Sequence, residues 1–423
     1  NLSIPYDLLS LFGDDMATSL IKEITFRKSE VIKMPELKNN FFEGILFRYE
    51  SCSCDCVEDI HHISKNEQPL RSYMLQAVPS EKKLFAYAAQ HGLVRIAKNG
   101  TIEESNILGR LISLLDKPFK ELVSFMSDNG FLFPVSETNY EAFDAGSLYN
   151  LIERIKNTVE LMTAISEIKK DYTRIFQLLM SLLFAPDFTV KTQSMNVVYH
   201  CCHHSYRDLL LNSDIELSDS RRQEAFDNDY FTITDSVYSD YKFSVEDYND
   251  IVSGYSTKPG YTESLFQKIT ALYMNHNGKY SERRITDFLF HYFYDIGVVT
   301  NDLTFCSKPD YSKLTAELKH AMIDTAKIII GEEINANLAG IHPIYDVNKM
   351  SPSWKVDSLL CAVYFSIFYL NPELELYRPC QNPRCGKYFL VKTTSTRVRY
   401  CSAACCNRVT QDRYRKRKRE REG

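Results

Sequence analysis

Hydrophobic positions recur at helical spacing through the middle of the chain. Leu148, Ile152, Ile155, Val159 and Met162 follow a 3.6-residue period with charged residues between them. This predicts a helix from Ser147 onward whose apolar stripe is core. A second helix is expected over 171–185, ended by Pro186, and the two form an antiparallel pair. Similar patterns predict helices over 73–90, 107–126, 264–276, 282–296 and 313–334. Another is expected over 354–370, with Pro352 near its start, where a missing donor costs little, and Asn371-Pro372 at its end. Alternation over 40–50 predicts a strand, and 130–135 reads as a short buried strand or extended link.

The pattern changes at the C-terminus. Residues 380–423 hold five of the twelve cysteines. Cys380 and Cys385 form one short pair, and Cys401 and Cys405 a second, with Cys406 directly behind. Two thiolate pairs joined by a loop of this size are a four-coordinate zinc pattern. Pro383 and Gly386 supply the tight turn that folds the first two sulfurs onto one ion. The stretch 387–391, followed by polar residues and a return over 397–400, reads as a hairpin. Ser402 then caps a helix that runs into a basic tail. Knuckle, hairpin and helix in this order describe a treble-clef-like finger, and metal binding would supply its folding energy.

Cys380, Cys385, Gly386, Phe389, Tyr400-Cys401-Ser402 and Cys405-Cys406-Asn407-Arg408 give this segment its likeness. It resembles the CGNR zinc finger, the C-terminal module of a bacterial family of stress-induced transcriptional regulators. The resemblance is confined mainly to residues 353–423, and is faint upstream around Phe131-Leu132-Phe133-Pro134. The family's Cys-Gly-Asn-Arg stands here as Cys-Cys-Asn-Arg, which leaves Cys405 and Cys406 as alternatives for the fourth ligand. The reading taken is zinc on Cys380, Cys385, Cys401 and Cys405, with Cys406 in the place of the family glycine. The resemblance implies DNA binding; the cysteine spacing alone implies only zinc.

Charge adds to this picture. From Cys380 onward, 4 Lys and 9 Arg stand against 1 Asp and 2 Glu, a balance of +10. The rest has 37 basic and 52 acidic residues, a balance of −15. One end suits polyanions and the remainder repels them. On the last helix, Asn407, Gln411, Arg415 and Arg419 recur every four residues. Amide and guanidinium groups pair bidentately with adenine and guanine edges. Arg408, Arg413, Lys416, Arg417 and Lys418, with Arg397 and Arg399 before the helix, add phosphate contacts. DNA is therefore the expected partner, with an RNA-binding or protein-interaction scaffold as the alternative. The oligomeric state is left open.

Other features narrow the class. Cys52, Cys54 and Cys56, followed by His61-His62, read as an exposed, ligand-free hairpin end. Adjacent side chains in His200-Cys201-Cys202-His203-His204 diverge too far for one ion. The segment 214–250 has eleven acidic residues against three basic. It reads as a solvated linker or insertion, with cover for the basic tail as an alternative. No Walker loop, G-x-S-x-G, H-E-x-x-H or dinucleotide fingerprint is present, and the expectation is a protein that is not an enzyme. Leu2 to Ile32 is broken by charges, unlike a signal peptide. The longest apolar run, Leu359 to Leu370, is too short to span a bilayer. A cytoplasmic protein without membrane contact is expected.

The expected fold class is α+β: a predominantly α-helical body with a C-terminal treble-clef-like zinc finger. The expected regions are a mixed α/β part over 1–135, a mainly helical domain over 136–375 with the acidic insertion at 214–250, and the finger with its tail over 376–423.

Overall fold

Phe47, Tyr49 and Ser51 are buried, while Arg48 and Glu50 between them are exposed, the period-two signature of a strand. The computed structural model describes residues 46–61, 70–97, 99–134, 142–185, 188–191, 196–199, 216–235, 237–256, 263–275, 280–296, 310–347, 350–395 and 397–422. In it this stretch opens β1 (Leu46–His61), paired antiparallel with β2 (Leu70–Ala88). Aromatic rings bind the pair: Tyr49 stacks on Phe85 at 5.6 Å and on Tyr87 at 5.8 Å. Cross-strand contacts of this kind stabilise sheets beyond backbone pairing.

Next come β3 (Val94–Ile96), β4 (Ile102–Glu104), α1 (Ile107–Ile112) and α2 (Phe119–Asn129), then β5 (Ala142–Asp144), α3 (Ala145–Ser166) and α4 (Tyr172–Leu183). The middle of the chain forms β6 (Phe188–Lys191), β7 (Asn196–Tyr199), α5 (Asp219–Asn228), β8 (Phe231–Ile233), β9 (Tyr241–Phe243), α6 (Val245–Ser256), α7 (Glu263–Asn275), α8 (Tyr280–Asp295) and α9 (Ala316–Ala336). The last part holds β10 (Ile341–Asp346), β11 (Ser351–Val356), α10 (Leu359–Phe368), β12 (Glu375–Pro379), β13 (Tyr388–Lys392) and α11 (Ala403–Glu422). The main sheet runs β10-β11-β1-β2-β3-β4, with β5 added to β2. β11 lies parallel to β1, with Phe47 beside Trp354. Residues Gly44–Gly423 form one unit of mixed helix and sheet.

The helical stripe is where the period places it. Leu148, Ile152, Ile155, Val159 and Met162 are buried on α3, and α3 packs on α4 and α9. Arg154 on α3 forks onto Glu333 on α9 at 2.6 and 3.0 Å, with both side chains buried. Among the described residues no helix is long and apolar enough to cross a membrane.

Several expectations change. The stretch 73–90 is strand, not helix. Its apolar residues fit either period, and β1 decides the matter by offering an aromatic partner face. Its Pro79 falls in the register shift opposite Cys52 and Ser53, where no ladder donor is needed. The stretch 107–126 is two helices, because Pro118 disfavours helical backbone at Lys117 and opens α2. Residues 351–356 are strand, and the helix begins only after Ser358, whose hydroxyl accepts from Cys361 N. The link after α2 holds buried Phe131, Leu132 and Phe133 and accepts the free N–H groups of Leu359 and Leu360 at 3.2 and 3.1 Å. Those are orphan donors of the α10 N-terminus.

The acidic segment is folded too. Phe231, Ile233, Val237 and Tyr248 are buried, and the buried Asp235 carboxylate accepts from Tyr273 at 2.5 Å and meets His291 Nε2 at 2.6 Å. It is held on α7 and α8 rather than lying out as a solvated linker. Cys52 and Cys54 are buried in β1, not exposed, and Cys56 alone of the three is at the surface. His62 and the 200–204 cluster lie outside the described residues.

Candidate metal centre and basic helix

The finger is built on a two-stranded ladder, β12 with β13, in which Tyr377 faces Leu390 and Pro379 faces Tyr388. The first cysteine pair sits in the turn between these strands. The partner of β13 is thus the segment before the knuckle and not 397–400, which crosses back as turn and coil and accepts Gln381 N at Arg399 O (2.9 Å). Three features shape the turn. Cys380 N donates to Lys387 O, Cys385 N donates to Asn382 O, and Asn382 Oδ1 accepts from Arg384 N. Gly386 follows at φ 64°, the left-handed backbone that glycine enters without steric cost.

The second pair comes from the start of α11. Ser402 accepts from Cys405 N at 3.3 Å, capping the helix as expected. Cys405 stands in its first turn, close to Cys401.

The sulfurs of Cys380, Cys385, Cys401 and Cys405 all lie within 4.8 Å of one another. Cys401 is 3.6 Å from both Cys385 and Cys405. A tetrahedral zinc with four bonds of about 2.3 Å needs sulfur–sulfur edges of about 3.8 Å. The arrangement therefore fits one zinc ion. Cys406 is exposed and stands outside the cluster.

Asn382 adds a donor that was not singled out from the sequence. It is 2% exposed, and its Nδ2 has no hydrogen-bond partner among the described residues. It lies near enough to the Cys405 sulfur to be the main influence, ahead of the Ser402 hydroxyl, that draws that thiol down to about 6. An orphan amide beside a sulfur is the support a metal-bound thiolate uses. Burial and the neighbouring thiols push Cys401 the other way, up to about 12. A bound zinc deprotonates such a thiol outright.

The ladder docks on the body. Tyr377 is buried and its hydroxyl donates to Asn106 Oδ1 at 2.8 Å. Asn106 Nδ2 donates to Tyr388 O at 3.1 Å, and Tyr388 N donates to Ser113 Oγ at 2.9 Å. The Tyr388 hydroxyl donates to Glu160 on α3. The main docking surface is thus α1 and α3, rather than the helix that precedes the finger in sequence.

Beyond the cluster, α11 runs for 20 residues, about 30 Å at 1.5 Å per residue. Asn407, Arg408, Gln411, Arg413, Arg415, Lys416, Arg417, Lys418 and Arg419 are all exposed, as are Arg397 and Arg399. Val409 is buried, and Asp412 lies 3.9 Å from Arg384 of the knuckle.

These features define a four-cysteine zinc finger whose helix continues as a basic arm. Residues 377–418 match the family model of the CGNR zinc finger, and the match is confined to that segment. No curated protein and no solved structure matches the chain.

Proposed function

We propose that the chain is a zinc-dependent DNA-binding protein, a bacterial transcriptional regulator whose body receives a signal or partner. In this reading Cys380, Cys385, Cys401 and Cys405 hold one zinc in a treble-clef-like finger, the protein works in the cytoplasm, and it is not an enzyme. The observation that carries it is the exposed basic face of α11, which begins at the metal cluster itself. Zinc fixes the first turn, so Asn407 and Gln411 are held firmly enough to meet base edges, with Arg408 beside them. Most of the later cations, with Arg397 and Arg399, hold phosphates. The likeness of 377–418 to the CGNR finger supports the same reading.

The docking of the ladder on α1 and α3 favours one alternative, a finger that serves the body structurally or as a protein-interaction scaffold. Electrophoretic shift separates the two. The full chain should shift duplex DNA at low salt, steeply less at high salt, and chelation of zinc should abolish the shift. If the zinc-loaded chain leaves duplex unshifted at low salt, the DNA reading fails and the scaffold reading replaces it.

A further inference from the structure

Three positions mark the inward side of α11: Cys405 in the metal cluster, Val409 buried, and Asp412 at 3.9 Å from Arg384 of the knuckle. Their spacing of four and three puts them on one side of the helix. With 3.6 residues per turn, positions 407, 411, 414 and 418 fall within about 60° of one another and about 180° from Val409. All four are exposed, and Tyr414 is 69% exposed. Asn407, Gln411, Tyr414 and Lys418 therefore form the face turned squarely away from the finger.

This departs from a stripe spaced strictly by four. Along Asn407, Gln411, Arg415 and Arg419 each step adds about 40°, so the row turns about 120° toward the held side. The outward face instead carries two amides, a phenol ring and an ammonium group. Arg408 and Arg415 flank it on one side, and Arg413 and Arg417 on the other. Asp412, the acidic residue amid these positions, is turned to the knuckle and its Arg384.

Tyr414, an aromatic ring 69% exposed on the outermost line of a cationic helix, leaves most of its apolar surface open. The flanking guanidinium groups select a polyanion as the occupant. In a major groove, the apolar feature within reach of such a ring is the thymine C5-methyl group. We propose that Asn407, Gln411, Tyr414 and Lys418 are the base-facing line of α11, and that the Tyr414 ring covers a thymine methyl. The line spans about 16 Å, roughly five base-pair steps at 3.4 Å each. This inference rests on the duplex-DNA reading above and names the residue that adds thymine preference to it.

The test uses the zinc-loaded full chain and a duplex library with a randomised core. A duplex selected by the wild type is remade with each thymine replaced in turn by uracil, which removes only the methyl group. One position should lose about fourfold in affinity, the worth of a buried methyl. Tyr414→Ala should bind more weakly and show no thymine-to-uracil difference at that position, while Tyr414→Phe keeps it. Zinc content and circular dichroism should match the wild type, since the ring lies on the solvent side. If Tyr414→Ala keeps the same uracil sensitivity, the assignment is overturned while DNA binding stands. A Tyr414-dependent preference for single strands over the duplex also overturns it, because the ring then stacks on unpaired bases. A wild type that shifts no duplex overturns the DNA reading and this assignment together.

Discussion

The difference between Cys405 and Cys406 is one residue along a helix, about 100° of rotation. That rotation puts one sulfur in the cluster and the other at the surface. Cys406→Ala should therefore keep one zinc per chain, and Cys405→Ala should lose it, as read by elemental analysis after gel filtration. The opposite result moves the ligand by one position. Asn382 is the buried amide that acts most on the same thiol. Asn382→Ala removes a buried donor without touching a ligand, and changes in such outer partners cost roughly 10–100-fold in metal affinity. Competition with a chromogenic chelator would measure the loss, and an unchanged affinity would mean that the amide only shapes the turn. The clustering of the four cysteines was legible in the sequence because chelation leaves a spacing pattern. Asn382 was not, because its part depends on burial. The anchoring line Cys405, Val409 and Asp412 was there to be read, but only once the held side of the helix is known.

Among elements, the junction of ladder and body turns on Asn106. It has φ 61° and ψ 46°, a left-handed conformation that asparagine tolerates better than most side chains. Its side chain accepts from Gly109 N and from the Tyr377 hydroxyl, and donates to Tyr388 O. Asn106→Ala removes a helix cap and leaves a buried hydroxyl unpaired, at a combined cost of about 2–4 kcal/mol. Urea unfolding should register it, with Tyr377→Phe milder because donor and need vanish together. The arm α11 behaves differently. Truncation after Tyr414 removes six cations, Arg415, Lys416, Arg417, Lys418, Arg419 and Arg421. It should flatten the slope of log affinity against log salt by up to about five. An unchanged slope would place the phosphate contacts elsewhere. Helices of the middle region were legible since their stripes are local. The strands at 70–88 and 351–356 differ from the helices expected there, because a partner strand settles each, β1 for the first and chiefly β10 for the second, and a period within one segment does not record its partner.

At the scale of the whole molecule, residues 1–379 carry a charge of −15 and the finger +10, and the finger's ladder is held by hydrogen bonds among Tyr377, Asn106 and Tyr388 and by the Tyr388 hydroxyl on Glu160. Attraction to a polyanion is thus confined to one end. The parallel pairing of β1 with β11 has a consequence in time. Phe47 and its neighbour Trp354 are about three hundred residues apart in sequence. At roughly 5–20 residues per second of synthesis, one flank of β1 waits about 15–60 s for its partner to be made. An open strand edge recruits other chains, and on β1 the exposed charges of Arg48 and Glu50 guard it. Replacing both by Val should raise light scattering when unfolded chains are diluted from urea, while protein that does refold keeps its urea midpoint. Equal scattering by the two chains would show that something other than these charges protects the waiting strand. A strand made late, on this account, closes one made early.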